Sequence, residues 1–188
     1  MKKVLCSVAM LATSALLVQA VLAGGTTTVK SGPQVGEVAR PKPFFPLNLN
    51  GPTPDKKECL VCRNGNNPVA MIFARDTNPE LVSLISKLDA ETVKNADKKM
   101  GSFAVFCNDS EGLEAKLKSL AKDKELKKFV LSIDNPAGPE PYKIAKDADV
   151  TVVLYNKSKV IANYTFRKGE LKAGDVEKIV SDVSKIVK

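Results

Sequence analysis

Residues 67–88 read Asn-Pro-Val-Ala-Met-Ile-Phe-Ala-Arg-Asp-Thr-Asn-Pro-Glu-Leu-Val-Ser-Leu-Ile-Ser-Lys-Leu, and their reading decides the fold. Pro68 to Ala74 is an unbroken apolar run, closed by Asn66 and Asn67 on one side and by Arg75 and Asp76 on the other. Such a run predicts a strand buried on both faces. The period then changes. Thr77 or Asn78 caps a helix, Pro79 suits its first turn and Glu80 lies near its positive end. Leu81, Leu84, Ile85 and Leu88 recur at spacings of three and four, giving one apolar stripe to about Val93.

The alternation repeats downstream. Residues 102–107 form a second predicted strand, and residues 112–122 a helix with Leu113, Leu117 and Leu120 on one face. Residues 128–133 form a third strand, stopped by Asp134-Asn135-Pro136; a short helical piece follows over residues 142–146. Residues 150–155 and 160–165 make a hairpin through Asn156-Lys157-Ser158-Lys159. A helix over residues 174–188 closes the chain, with Val176, Ile179, Val180, Val183, Ile186 and Val187 on one face. Strands that alternate with helices require parallel neighbours and right-handed crossovers, while the late hairpin adds an antiparallel edge. The expected fold class is α/β, a mixed sheet of about five strands flanked by helices on both faces.

Upstream, residues 24–57 carry Pro33, Pro41, Pro43, Pro46, Pro52 and Pro54, a density that excludes helix. A flexible leader is expected to about Gly32, and Phe44, Phe45, Leu47 and Leu49 are expected to lay a short strand on the core. Further upstream, Lys2 and Lys3 precede an uncharged, mostly apolar run, with small residues Ala20 and Ala23 near its end. That pattern predicts a signal peptide over residues 1–23 and a periplasmic or secreted protein. The alternative is an uncleaved anchor, against which Ser7, Thr13, Ser14 and Gln19 argue. Gly25 stands where a lipid-bearing cysteine would be needed, so neither lipidation nor a stable membrane anchor is expected after cleavage. The division is thus signal peptide 1–23, extended segment 24–57 and main domain 58–188.

Composition removes several chemistries. The 188 residues include no His, which excludes Ser-His and Cys-His nucleophile pairs, His-ligated metals and CxxCH haem attachment from this chain alone. Cleavage would remove Lys2 and Lys3 and no acid, taking the formal charge from +8 to +6. The lysines interleave with Asp and Glu along the helices, and no basic run carries stacking aromatics, so nucleic acid is not an expected partner. Asn108-Asp109-Ser110 and Asn163-Tyr164-Thr165 match the glycosylation sequon, which matters only in a eukaryotic secretory pathway; the short Lys-Lys leader reads as bacterial.

The order of elements resembles a thioredoxin-like fold, nearest the extracytoplasmic thiol-disulfide oxidoreductase and peroxiredoxin branch. Gln34-Val35-Gly36-Glu37-Val38-Ala39-Arg40-Pro41 followed by Phe45-Pro46-Leu47-Asn48-Leu49-Asn50-Gly51 is similar to the opening of that branch, a Gly-x-x-Ala-Pro turn before a Phe-x-Leu strand. The resemblance covers most of residues 34–188. It implies a reactive CxxC, or a single cysteine, just after the first core strand, and a cis-proline before the hairpin. Here the first place holds Arg75-Asp76-Thr77-Asn78-Pro79-Glu80 and the second Asp149-Val150-Thr151. The family's usual site is absent.

The mature chain keeps Cys59, Cys62 and Cys107, Cys6 leaving with the signal. Cys59-Leu60-Val61-Cys62 is a CxxC upstream of the first core strand, entering at the end opposite Arg75, on the order of 20 Å away for a strand rising about 3.3 Å per residue. Lys56, Lys57 and Arg63 would favour a thiolate there, and Glu58 would oppose them. Two readings stay open: thiol-disulfide exchange through Cys59 and Cys62 with exported protein thiols or disulfides, or a structural disulfide in a non-catalytic interaction module. Cys107 ends an apolar strand and reads as a buried packing residue. No cofactor is expected, and three thiolates without a fourth ligand make a poor metal site.

Overall fold

A computed structural model describes residues 29–188; the expected signal peptide and Cys6 lie outside the described residues. Its centre is β2 (Val69–Ala74), with all six residues buried. On one side β2 pairs in parallel with β3 (Gly101–Cys107), and on the other it pairs antiparallel with β5 (Val150–Asn156), Ala74 lying opposite Val150. β4 (Val130–Asp134) extends the sheet parallel to β3, and β6 (Lys159–Phe166) returns antiparallel to β5. With a short edge strand β1 (Leu47–Asn48), the order is β1-β4-β3-β2-β5-β6. The mixed α/β sheet expected from sequence is present, with six strands.

The sixth strand, β1, is antiparallel to β4. It forms because residues 47–57 double back: Asn48 N–H donates to the Lys56 carbonyl at 3.0 Å and Asp55 N–H to the Asn48 carbonyl at 2.8 Å. Gly51 sits in this return at φ 80°, where a Cβ would stand 2.9 Å from Val130. The segment expected to be flexible to Gly32 is already fixed at Ser31, which is 1% exposed. Its hydroxyl meets Thr151 Oγ1 at 2.7 Å and its carbonyl accepts from Asn163 Nδ2 at 2.9 Å. Residues 36–39 then run along β6, with Gly36 N–H on the Val160 carbonyl and Val160 N–H on the Glu37 carbonyl.

Strand alternation divides the core. Ala70, Ile72, Ala104, Phe106, Val152 and Leu154 face one layer, which three helices cover: α2 (Pro79–Lys94), α3 (Leu113–Asp123) and α4 (Ala173–Asp182). Successive right-handed crossovers from β2 to β3 to β4 put α2 and α3 on the same face. Met71, Phe73, Phe103, Val105 and Val153 face the other layer, covered by Ala39, Phe44, a short helix α1 (Leu60–Asn64) and a 3-10 turn at Glu140–Tyr142.

Helix α2 carries out its sequence reading closely. Asn78 caps it by accepting from Leu81 N–H at 2.8 Å, and Leu81, Leu84, Ile85 and Leu88 are fully buried. Asp89 lies on the same stripe. Its carboxylate accepts N–H groups from Lys127, Lys128 and Phe129, which fixes the turn entering β4.

Elsewhere the boundaries move. The helical piece expected at residues 142–146 is the 3-10 turn Glu140–Tyr142, since Pro139 and Pro141 remove the N–H groups a longer helix needs. The last helix ends at Asp182 and finishes as a 3-10 turn at Val183–Lys185. The hairpin turns through Lys157 (φ 49°) and Ser158 (φ 62°), the doubly left-handed geometry that matches strand twist. Both sequon asparagines are engaged: Asn163 Nδ2 holds Ser31 and Pro33, and Asn108 Nδ2 donates to the Arg75 carbonyl at 2.6 Å.

Candidate functional site: the Cys59–Cys62 pair and the Arg75 end of the sheet

Cys59 is the N-cap of α1, and Cys62 lies in its first turn. The i to i+3 spacing brings their Cα atoms to 5.2 Å, and the sulfurs are joined. The two are unequal. Cys59 is 5% exposed and belongs to the second apolar layer, whereas Cys62 is exposed. Cys62 N–H also points back at Cys59 Sγ at 3.2 Å.

The flanks of the pair are tied down. Glu58 N–H donates to the Pro46 carbonyl, and Lys57 bridges to Leu47 of β1. The Glu58 carboxylate takes Arg63 and the Thr53 hydroxyl, while Arg63 also reaches Thr53 at 3.1 Å. Arg63, expected to favour a thiolate, is therefore neutralised by Glu58. On the other flank Arg40 donates to the Val61 carbonyl at 3.3 Å, to Asn66 Oδ1 at 3.0 Å and to Ser158 Oγ. Arg40 and Thr53 carry no local motif, and only their spatial return to residues 58–66 reveals them.

After α1 the chain enters β2 from its N-terminal end, as the sequence predicts. Asn64 closes that approach so tightly that a Cβ on Gly101 would lie 2.0 Å from its Oδ1. α1 lies on the second face, where Cys59, Leu60 and Val61 join the apolar layer. It remains on the opposite face from α2.

At the C-terminal end of β2, where the sequence resemblance implied sulfur, the chain holds polar groups. A cavity of about 230 Å³ is lined there by Asp76, Thr77, Asn78, Glu80, Asp149 and Lys168 among others, with neither cysteine of the pair. The Thr77 N–H bond, first, and Lys116 hold the Asp76 carboxyl below the usual carboxylate range. Burial, and then the Asp76 charge, push Asp149 up. Arg75 points elsewhere and clamps the loop after β4, donating to the carbonyls of Pro136 (2.8 Å), Ala145 (3.1 Å) and Ala148 (3.0 Å). The 149–151 stretch has no cis bond, and none occurs among the described residues.

Cys107 ends β3 at this same end of the sheet. It is 2% exposed and unpaired, and burial pushes its thiol up to about 12, against the opposing pull of Arg75. It is a packing residue, as expected: Gly138 lies against it, and a Cβ there would come 3.2 Å from Sγ. Among the described residues no group of three or more Cys, Asp or Glu side chains is placed to hold a metal ion.

No protein-family model matches this sequence, and no curated protein matches it. Solved structures do match in shape. The solution structure of a protein of Bacteroides thetaiotaomicron, proposed to be a protein disulfide isomerase, superposes with TM-score 0.62 at 14% identity, covering 85% of this chain and 94% of that one. A secreted disulfide oxidoreductase of Mycobacterium tuberculosis, homologous to E. coli DsbE, gives 0.56 at 11% identity over 76% and 95%. Xylella fastidiosa PrxQ gives 0.59 at 11% identity over 85% and 100%. The sheet order, the β2-α2-β3 crossover and these superpositions identify the fold of this chain as thioredoxin-like.

Proposed function

We propose that this is an exported protein of thiol-disulfide exchange, working through Cys59 and Cys62 on exported thiols or disulfides. The observation that carries the reading is the inequality of the two sulfurs. Cys62 is open to a partner, and Cys59 is buried with Cys62 N–H directed at it.

A partner thiolate attacks Cys62 Sγ, the Cys59–Cys62 bond breaks, and its electron pair leaves on Cys59, where the N–H stabilises the departing charge. A second thiolate then attacks the partner sulfur of the mixed disulfide. Cys62 is released as thiolate, the partner leaves as a disulfide, and two electrons have passed to the pair. In the reverse direction Cys62 is the nucleophile and Cys59 resolves. Export rests on the leader sequence. Among the described residues no helix is long and apolar enough to cross a membrane.

The test is trapping. Reduced Cys59→Ser protein is expected to hold a disulfide-bearing peptide as a stable mixed disulfide on Cys62, whereas Cys62→Ser is not, and both lose insulin-type reduction. The competing reading, a permanent clip in a non-catalytic module, is favoured by the Thr53–Glu58–Arg63 cluster that braces the pair from outside. A reduction potential below about −300 mV, with no trapped species at Cys62, decides for the clip.

A further inference from the structure

The charges around Cys62 extend the exchange reading, on which this step rests, toward a class of partner. Two of the acids near the pair in sequence are already matched: Glu58 by Arg63, and Asp55 by Lys118 of α3 at 2.6 Å. Among the cations, Arg63 is matched by Glu58, whereas Arg40, Lys56 and Lys57 join no ion pair among the described residues. Arg40 lies on the carbonyl of Val61, the residue bonded to Cys62, and its recorded partners there are a carbonyl, an amide and a hydroxyl. Lys56 and Lys57 are exposed. Asp109 and Asp134 share a groove with Lys57 without reaching it as an ion pair, and Glu37 is held by Gln34 N–H at 2.8 Å. Arg40 is therefore a cation beside Cys62 whose bonded partners are all neutral, and its charge acts over roughly 10 Å at ~0.1 M salt.

We infer that the sulfur partner of Cys62 carries carboxylates close to its own sulfur, either as a small acidic thiol or as a cysteine within an acidic peptide. The chemistry is the exchange already written. The partner thiolate forms its bond to Cys62 Sγ as Cys59 leaves, and a second equivalent of the same thiol takes the first away as its disulfide. The carboxylates change neither bond. They raise the local concentration of the attacking thiolate beside Arg40, Lys56 and Lys57.

The experiment measures opening of the Cys59–Cys62 bond in the full-length oxidised protein. Four thiols are compared, with rates corrected to equal thiolate: glutathione, 2-mercaptoethanol, cysteamine and a Glu-flanked cysteine peptide. The anionic probes are expected to exceed the neutral one by roughly tenfold at low salt and cysteamine to fall below it, the spread closing as salt rises. In Lys56→Gln/Lys57→Gln, changes at exposed positions, the anionic-to-neutral ratio is expected to fall severalfold. Arg40→Gln, with Arg40→Lys as its charge-keeping control, is expected to lower it further. Faster reaction with the peptide than with glutathione assigns the partner to protein, and the opposite order assigns it to a small thiol. Equal rates across the charge series, or a ratio that ignores all three lysine and arginine changes, overturns the inference while leaving exchange intact. Failure of every thiol to open the bond in the folded protein overturns exchange itself.

Discussion

Among the described residues cysteine occurs in two regions, and they differ in nearly everything else. At the end of β3, Cys107 sits 2% exposed beside the Arg75 clamp, at the end of the sheet where the sequence resemblance implied sulfur. On the second face, α1 holds Cys59 and Cys62, one buried and one open. The first region has a thiol without access to solvent; the second has an accessible sulfur on the other face of the sheet. A fold therefore offers a platform, and burial and nearby charge decide which part of it can react.

The sharpest way to break this contrast is to compare thiol reactivities directly. With the disulfide reduced and the protein folded at about pH 8, Cys107 is expected to be alkylated roughly a thousandfold more slowly than an exposed thiol, since its own is pushed up to about 12 from 9.0. Cys62 is expected to label first. Mass-resolved alkylation kinetics read both positions in one sample. Similar rates would return the reactive sulfur to the end of β3.

The next test separates structural work from sulfur chemistry. Arg75 holds three carbonyls of the loop after β4, so Arg75→Ala leaves partly buried acceptors unmatched and is expected to cost about 3 kcal/mol, measured from the urea midpoint. The reduction potential of Cys59–Cys62 is expected to stay where it is, because α1 packs on the other face from α2. A large change in that potential would show that the two regions are coupled after all.

The same contrast explains what could be read from sequence. The strand Pro68 to Ala74 and the stripe Leu81, Leu84, Ile85 and Leu88 are legible because burial leaves a period in the sequence. So is the polar replacement of the usual sulfur position, which needs only residue identities. α1 is not legible: five residues with two cysteines carry no period, and the helix exists because the 47–57 return delivers Cys59 to the second face. Arg40 and Thr53 act across the chain, through contacts at Val61 and Glu58 that no local pattern encodes. Asp89 left a trace, a carboxylate on an apolar stripe, which signals a buried acceptor with backbone donors facing it.

The smallest expected effect tests the polar end of the sheet alone. Burial raises the Asp149 carboxyl above the usual 3.8 and the Asp76 charge adds to the rise, while the charges of Lys168 and Arg75 oppose it. The folded state thus holds this proton more tightly than the unfolded chain, so stability falls as pH climbs from the unfolded value through the folded one. Above that window the penalty is complete; below it both states are protonated and the penalty vanishes. Asp149→Asn is accordingly expected to raise Tm at pH 7 by no more than about 3 °C, given how much of the group remains in water, and to leave it unchanged near pH 3. Thermal unfolding of both proteins across that range provides the check. An equal gain at both ends would mean that packing or a new amide hydrogen bond is responsible. A loss at pH 7 would mean that the carboxylate is matched by Lys168 and Arg75, and that this cavity is a settled ion network.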